Sequence, residues 1–424
     1  MNTALAQQLD PSAPAADLGQ HIAPVPRISI QAFCEMPELA TAIQAAAGDR
    51  RMAKAHVKVQ MGGLAAAGEA YRSAATPNVI VIENNANGIE LLEGLDKLAE
   101  VCDAGTKVVV VGRFNDVVFY RELVRRGISD YLISPVTPLD VVRTVSGLFN
   151  APNADPVGRV VAVVGAKGGV GASTIAHNIS FAIARDLSLD SVVVDLDLPF
   201  GTAGLDFNQD PPQGIADAVF SPDRVDSAFI DRLLSKCTDH LSLLASPATL
   251  DREYDFDPEA FDPVFDALRT SVPYIVLDLP HVWTAWAKRA MVSADEVLFV
   301  VAPDLANLRN AKNLFDFVRA ARPNDQAPMY VLNQVGMPKR PEVRLADFAK
   351  ALGHEPAASI PFDPQLFGTA ANNGQMIAEV AANHKIAETF LSLAMTLTGR
   401  AEVKRQKRGD FLSPLIAKLR ARLG

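Results

Sequence analysis

"VVAVVGAKGGVGASTIAHNIS", Val160 to Ser180, decides the fold of the larger part of this chain. An apolar β-type run, Val160 to Val164, feeds a glycine-dense turn, and a helix-compatible stretch follows. A phosphate-binding loop requires this order. Small residues let backbone N–H groups turn inward around phosphate oxygens, and the start of the helix adds its dipole. The common pattern, G-x-x-x-x-G-K-[ST], begins with a glycine and places a lysine directly before Ser173. Here Ala166 and Ala172 occupy those two positions.

The missing lysine has a magnitude. One charge-assisted contact to phosphate contributes roughly 1.5–3 kcal/mol, so nucleotide affinity is expected to fall on the order of ten- to a hundredfold. Turnover suffers more than binding, because charge gathering on the phosphates near the transition state loses a partner. Lys167, upstream of the double glycine in "GAKGGVGAST", is the lysine the loop retains.

Outward from this loop the chain divides into parts. Residues 1–26 read as a disordered leader rich in Ala, Pro and Gln, without the basic start and apolar core of a secretory signal. From residue 27 to 149, strand candidates "ISIQAF", "HVKVQ", "NVIVIE", "KVVVVG" and "DYLIS" alternate with Ala- and Leu-rich helical stretches, predicting a parallel sheet with helices on both faces. Residues 150–158 have linker composition. Residues 159–399 form a second α/β region, with strands expected in "VVAVVG", "SVVVDLD", "LSLLAS", "YIVLDL", "EVLFVVA" and "PMYVLNQ". The tail, 400–424, holds eight basic residues against Glu402 and Asp410.

A chain of 424 residues is long for one domain, and 49% apolar with 21% charged residues is ordinary for a globular protein. The net charge of −9 argues against a generally basic nucleic-acid binder. Cys34, Cys102 and Cys237 are far apart, so neither a disulfide framework nor a zinc or iron–sulfur site is expected, and a reducing cytoplasm fits. No stretch approaches the length of a membrane span.

"PNVIVIENN" and "RRGISDYLISPVTPLDVV" in the first region resemble strands three and five of response-regulator receivers. The resemblance implies a flavodoxin-like doubly wound domain, but its chemistry is gone. Glu83 stands where the phospho-accepting Asp would be, Phe33 and Cys34 replace the acidic pair, Gly112 replaces the strand-four hydroxyl, and Ser134 replaces the lysine. A protein-interaction module is expected, with Glu83 solvated beside its turn.

The loop resembles the deviant Walker A of the MinD/ParA superfamily, [KR]-G-G-x-G-K-[ST], matched at Lys167, Gly168, Gly169, Gly171 and Ser173. That resemblance implies a P-loop NTPase domain of the MinD/ParA type with a mostly parallel sheet. It implies that Lys167 reaches across a homodimer to the partner's phosphates. The loop residues Gly168, Gly169, Val170, Gly171, Ala172, Ser173 and Thr174 would cradle ATP, and the Ser173 hydroxyl would hold Mg²⁺. In "VVVDLDLPFGTAGLD", Asp195 would organise Mg²⁺ and Asp197 would orient the attacking water. "YIVLDLP" reads as a Walker B strand ending in Asp278, suited to Mg²⁺ through a water. "VLNQV" and "SIPFDP" resemble the adenine-side segments, with Asn333 on the base edge and the Pro361 to Asp363 backbone beside it.

A degenerate receiver joined to such an ATPase resembles the CpaE/TadZ family of pilus-assembly proteins. "DLPHVWTAWAKRAM" and "APDLANLRNAKNLFDFVR" share that family's character. The resemblance implies a cytoplasmic, pole-located factor for the tight-adherence (Flp-type) pilus. Its partners would be that machine's secretion ATPase and inner-membrane platform. Leu415, Ile416, Leu419 and Leu423 fall on one helical face flanked by Lys418, Arg420 and Arg422, resembling MinD's membrane-targeting helix, so peripheral contact with an anionic membrane is expected. Two other readings stand beside this one: a structural scaffold with a vestigial nucleotide site, and a ParA-type DNA-partitioning ATPase. The second needs a basic ATPase surface, and outside the tail the chain is acidic.

Overall fold

The computed structural model describes residues 22–400 except 73, 86–87, 104, 150–156, 248–249 and 251–252. The leader through residue 21, most of the expected linker, and the basic tail from residue 401 lie outside the described residues.

Five short apolar runs form the first sheet: β1 (Ser29–Cys34), β2 (His56–Met61), β3 (Val79–Glu83), β4 (Lys107–Gly112) and β5 (Asp130–Ile133). All pair in parallel in the order β2-β1-β3-β4-β5, the order of flavodoxin-like sheets. The two-residue period of a strand sends Val79 and Val81 into one apolar layer and Ile80 and Ile82 into the other. Both faces are therefore covered, and β3 is buried throughout.

The positions where a receiver would keep its chemistry are filled with packing. Phe33 and Cys34 are fully buried, and the Tyr131 ring occupies the space beside Gly112, where an added Cβ would stand 2.5 Å from the Tyr131 Oη. Glu83 corrects an expectation. It is buried rather than solvated, and its Oε2 accepts from the Glu35 and Met36 N–H groups, both at 2.8 Å. A strand-end carboxylate here closes the turn into the helix Pro37–Ala47. The expected leader also gives up its last residues to the fold. Val25 is buried, its N–H donates to the Arg51 carbonyl, and the Ser146 hydroxyl donates to the Ala23 carbonyl.

The second sheet has eight strands: β6 (Arg159–Gly165), β7 (Ser191–Asp195), β8 (Ser235–Lys236), β9 (Leu241–Leu244), β10 (Tyr274–Leu279), β11 (Glu296–Val301), β12 (Met329–Val335) and β13 (Ala358–Pro361). Their order is β13-β12-β11-β6-β10-β7-β9-β8, parallel except for the short β8. Val160, Ala162 and Val164 face one core layer and Val161 and Val163 the other. The chain leaves β6 toward β7 on one side and later places β11 on the other. The C-terminal end of β6 thus lies at a switch point, where open α/β sheets bind ligands. The helix Ala172–Leu187 packs behind it.

The two sheets are joined by buried charge. Arg50 contacts Asp295 at 3.1 Å and Asp325 at 2.8 Å, Arg51 contacts Asp325 at 2.8 Å, and the Asn324 amide donates to Asp49 at 3.0 Å. Asp295 directly precedes β11. The first unit therefore sits at the N-terminal edge of the second sheet, away from the phosphate-type loop. No helix among the described residues is long and apolar enough to cross a membrane.

Candidate nucleotide-binding site

The loop between β6 and the helix Ala172–Leu187 is held by side chains from the ends of β10 and β12 and from the helix Leu305–Ala321 that follows β11. His281 Nδ1 lies 2.9 Å from the Gly165 carbonyl, and because that oxygen can only accept, the nitrogen carries the proton. The Asn310 amide donates to the Ala166 carbonyl at 2.9 Å, Gln334 to Gly169 at 2.9 Å and Asn333 to Val170 at 2.8 Å. Four loop carbonyls are thereby tied to protein donors. Among the described residues, no backbone N–H from Lys167 to Gly171 is spent on a hydrogen bond outside the regular elements. Gly171 must be glycine on two grounds. Its φ is +87°, and a Cβ would stand 2.7 Å from the Asn333 amide nitrogen.

The loop borders a cavity of about 330 Å³. Lys167, Gly168, Gly169, Val170, Gly171, Ala172, Ser173 and Thr174 line it, and the ends of β7 and β10 bring in Asp197 and Asp278. A second cavity of about 150 Å³ begins at Gly171 and Thr174 and is bounded by Asn333, Pro361 and Asp363. The structure thus brings together all the expected site residues but one. Lys167 is exposed at the mouth and takes part in no ion pair among the described residues. Ala172 leaves the floor without an ammonium.

Asp195 is the exception. It is fully buried, does not line the cavity, and accepts from Asp197 N–H at 3.1 Å, Ala203 N–H at 3.1 Å and Ser246 Oγ at 3.0 Å. Its carboxylate shapes the turn that carries Asp197. Burial, and then the nearby Asp278 charge, push the Asp195 carboxyl up to about 6. Burial also raises Asp197, whose Oδ1 accepts from the Phe200 N–H.

Sequence reading passed over His177 and His281. His281 follows the Walker B-type strand and lines the cavity. His177 lies wholly buried in the loop's own helix, with Nδ1 2.7 Å from Asp206 and Nε2 3.4 Å from Asp278. Burial alone would strip its proton, but Asp206 and then Asp278 outweigh this and raise it to about 10. The signal was available: "AHN" interrupts a helix that is otherwise apolar on that side.

Residues 158–328 match the family model described as an AAA domain. The septum site-determining protein MinD of Synechocystis is 29% identical over 163 residues, which is 38% of this chain. The chain spans 60% of that relative's own length. A crystal structure of a ParA family ATPase from Chlorobium tepidum is 26% identical, matching 56% of this chain and 98% of that one with a TM-score of 0.51. A crystal structure of a pilus assembly protein, CpaE from Caulobacter crescentus, is 49% identical over 31% of this chain and 100% of its own, with a TM-score of 0.30. The second unit is a P-loop NTPase fold of the MinD/ParA type.

Proposed function

We propose that this chain, whose second unit has the MinD/ParA-type P-loop fold, binds Mg-ATP and dimerises on it. The dimer helps localise and assemble a pilus secretion machine, with slow or absent hydrolysis. One observation carries the nucleotide reading: a loop whose carbonyls are tied back beside a cavity that also receives Ser173, Asp197 and Asp278. These residues fit a magnesium nucleotide. Backbone N–H groups and the start of the helix would take the phosphates, and the Ser173 hydroxyl with Asp278 would hold the cation. The bound group would supply the charge that a dimer partner's lysine meets.

Lys167 supports the dimer. It is exposed at the cavity mouth, without an ion-pair partner in its own chain among the described residues, and Ala172 leaves the phosphates short of a cation. Exposed apolar side chains lie on the segments that follow β7, β10 and β11: Phe200 (72% exposed), Leu205 (74%), Trp283 (55%) and Leu305 (72%). Exposed apolar surface of this kind fits burial against a second copy.

The pilus role rests on the quoted sequence segments and on identity with the Caulobacter protein, not on the superposition. A secretion ATPase and its inner-membrane platform are the proposed partners. The test is genetic and biochemical together. Cells lacking the chain should lose pili, and wild type should restore them where Lys167→Ala does not. Restoration by a Lys167→Ala protein that no longer binds ATP would favour the scaffold reading, for which Ala172 is the supporting observation.

A further inference from the structure

The helix Val117–Arg125 of the first unit is held to its own sheet by few side chains. Leu123 is its one buried residue, and Phe119 meets the Tyr131 ring edge-on at 5.8 Å between centroids. Its outer side is apolar. Val117 is 64% and Val118 77% exposed, and Phe114, Tyr120 and Val124 stand out beside them. At about 3.6 residues per turn, Val117, Val118, Tyr120, Arg121 and Val124 share the side opposite Leu123 and Phe119.

The free charge around this ridge has one sign. Glu122 is taken up by Arg125 at 2.7 Å and Arg126 at 2.8 Å, and Asp116 caps the helix by accepting from the Val118 and Phe119 N–H groups. Arg113 and Arg121 are exposed and make no ion pair or hydrogen bond among the described residues.

Neither the first sheet nor the second unit covers the ridge. The helix packs on the layer that holds Leu91 and Leu95, whereas Arg50 and Arg51, which meet the second unit, follow the helix Pro37–Ala47 on the other layer. The end of the described chain lies toward the first unit as well. The Tyr274 hydroxyl donates to the Thr398 carbonyl at 3.2 Å, and Tyr274 opens β10 at the N-terminal edge of the second sheet. Residues 401–412 span at most about 40 Å when extended. That carries the basic, leucine-bearing segment from Ser413 past a five-stranded sheet about 20 Å across.

We propose that the helix Val117–Arg125 is a membrane contact in its own right. Its apolar ridge lies at the acyl boundary of an anionic leaflet, and Arg113 and Arg121 reach lipid phosphates. The free arginines favour a lipid surface over an apolar groove on another protein, because a leaflet offers anions wherever the ridge lands. One short helix binds such a surface only weakly, and stable attachment takes two signals, here the ridge and the tail. No nucleotide is needed for this contact.

The experiment titrates the full-length chain with vesicles of equimolar phosphatidylglycerol and phosphatidylcholine, with and without Mg-ATP. All the substituted positions are exposed, and urea midpoints equal to that of wild type check that the fold is kept. Val117→Asn with Val118→Asn, and Arg113→Gln with Arg121→Gln, should each weaken binding on the order of tenfold. The arginine pair should also flatten the salt dependence. Lys58→Gln with Lys97→Gln, the same loss of charge elsewhere on the first unit, should leave binding close to that of wild type. If one ridge pair fails to fold, the other decides. Wild-type binding by a folded ridge variant, an equal loss in the lysine control, or a wild type that binds no vesicles overturns the proposal. Pili lost in a ridge variant that still binds vesicles would mark the face as a protein-docking surface and overturn it too. Ridge-dependent binding that ignores Mg-ATP would count against the nucleotide reading and leave the membrane contact standing.

Discussion

The Asn333 side-chain amide donates to the Val170 carbonyl at 2.8 Å, while the same nitrogen lies only 2.7 Å from where a Cβ on Gly171 would stand. One amide from β12 thus fixes the shape of the loop after β6. Asn333 is buried, so removing it strands an acceptor as well as loosening the loop. Asn333→Ala should cost about 1–3 kcal/mol of stability and weaken Mg-ATP. Unfolding and binding titrations check both. Unchanged affinity would mean the loop holds its form without β12.

Glu83 receives the Glu35 and Met36 N–H groups at 2.8 Å each. Incubation with a small phosphodonor should leave the first unit unmodified, because the expected acceptor is a buried cap. Glu83→Ala should lower stability by about 2–3 kcal/mol, since buried N–H groups lose a charged acceptor. A stoichiometric acid-labile phosphate on this unit would contradict the account.

The contact between the two sheets should be acid-sensitive. Burial alone would raise the Asp49 carboxyl, but hydrogen bonds from Arg51 and Asn324 outweigh it and hold it down from 3.8 to about 2. A carboxyl with a depressed native pKa adds stability that is present above its unfolded value and lost as pH falls toward its native one. The urea midpoint should therefore fall between pH about 4 and about 2 through this group. Arg50→Ala should cost about 1–3 kcal/mol by removing its contacts to Asp295 and Asp325, which keep Arg269 and Arg322 respectively. A change below 1 kcal/mol would show that the ion pairs do not hold the units together.

The basic tail supplies a separate expectation from its sequence. One short amphipathic helix binds anionic vesicles weakly, and two on a dimer bind with avidity. Sedimentation with anionic vesicles should rise with ATP, fall with salt and vanish on deletion of residues 404–424. Equal binding by the truncated protein would rule the tail out as the contact.

Much of the fold was legible in the sequence because both sheets are built from apolar runs ending in polar turns. Each of the five strands in the first sheet lies within a residue or so of its run. The loop was legible because K-G-G-x-G follows such a run. The rest depended on contacts distant in sequence. Arg50 and Arg51 look like ordinary surface charges until Asp325 meets them, more than 270 positions away. Asp195 and Asp197 look alike at a strand end, but only Asp197 reaches the cavity, because the turn through Ala203 takes up both Asp195 oxygens. His177 gave a local sign, a polar residue inside an apolar helix, but its meaning came from Asp206 and Asp278. The two-residue β8 and four-residue β13 are too short to carry a pattern.

The central claim is that Lys167 acts across a nucleotide-dependent dimer. Sedimentation velocity of wild type and Lys167→Ala, with and without Mg-ATP, tests it most directly. The account predicts a wild-type monomer that becomes a dimer with Mg-ATP, and a Lys167→Ala protein that stays monomeric at the same concentrations. The same oligomer in all four samples would contradict it.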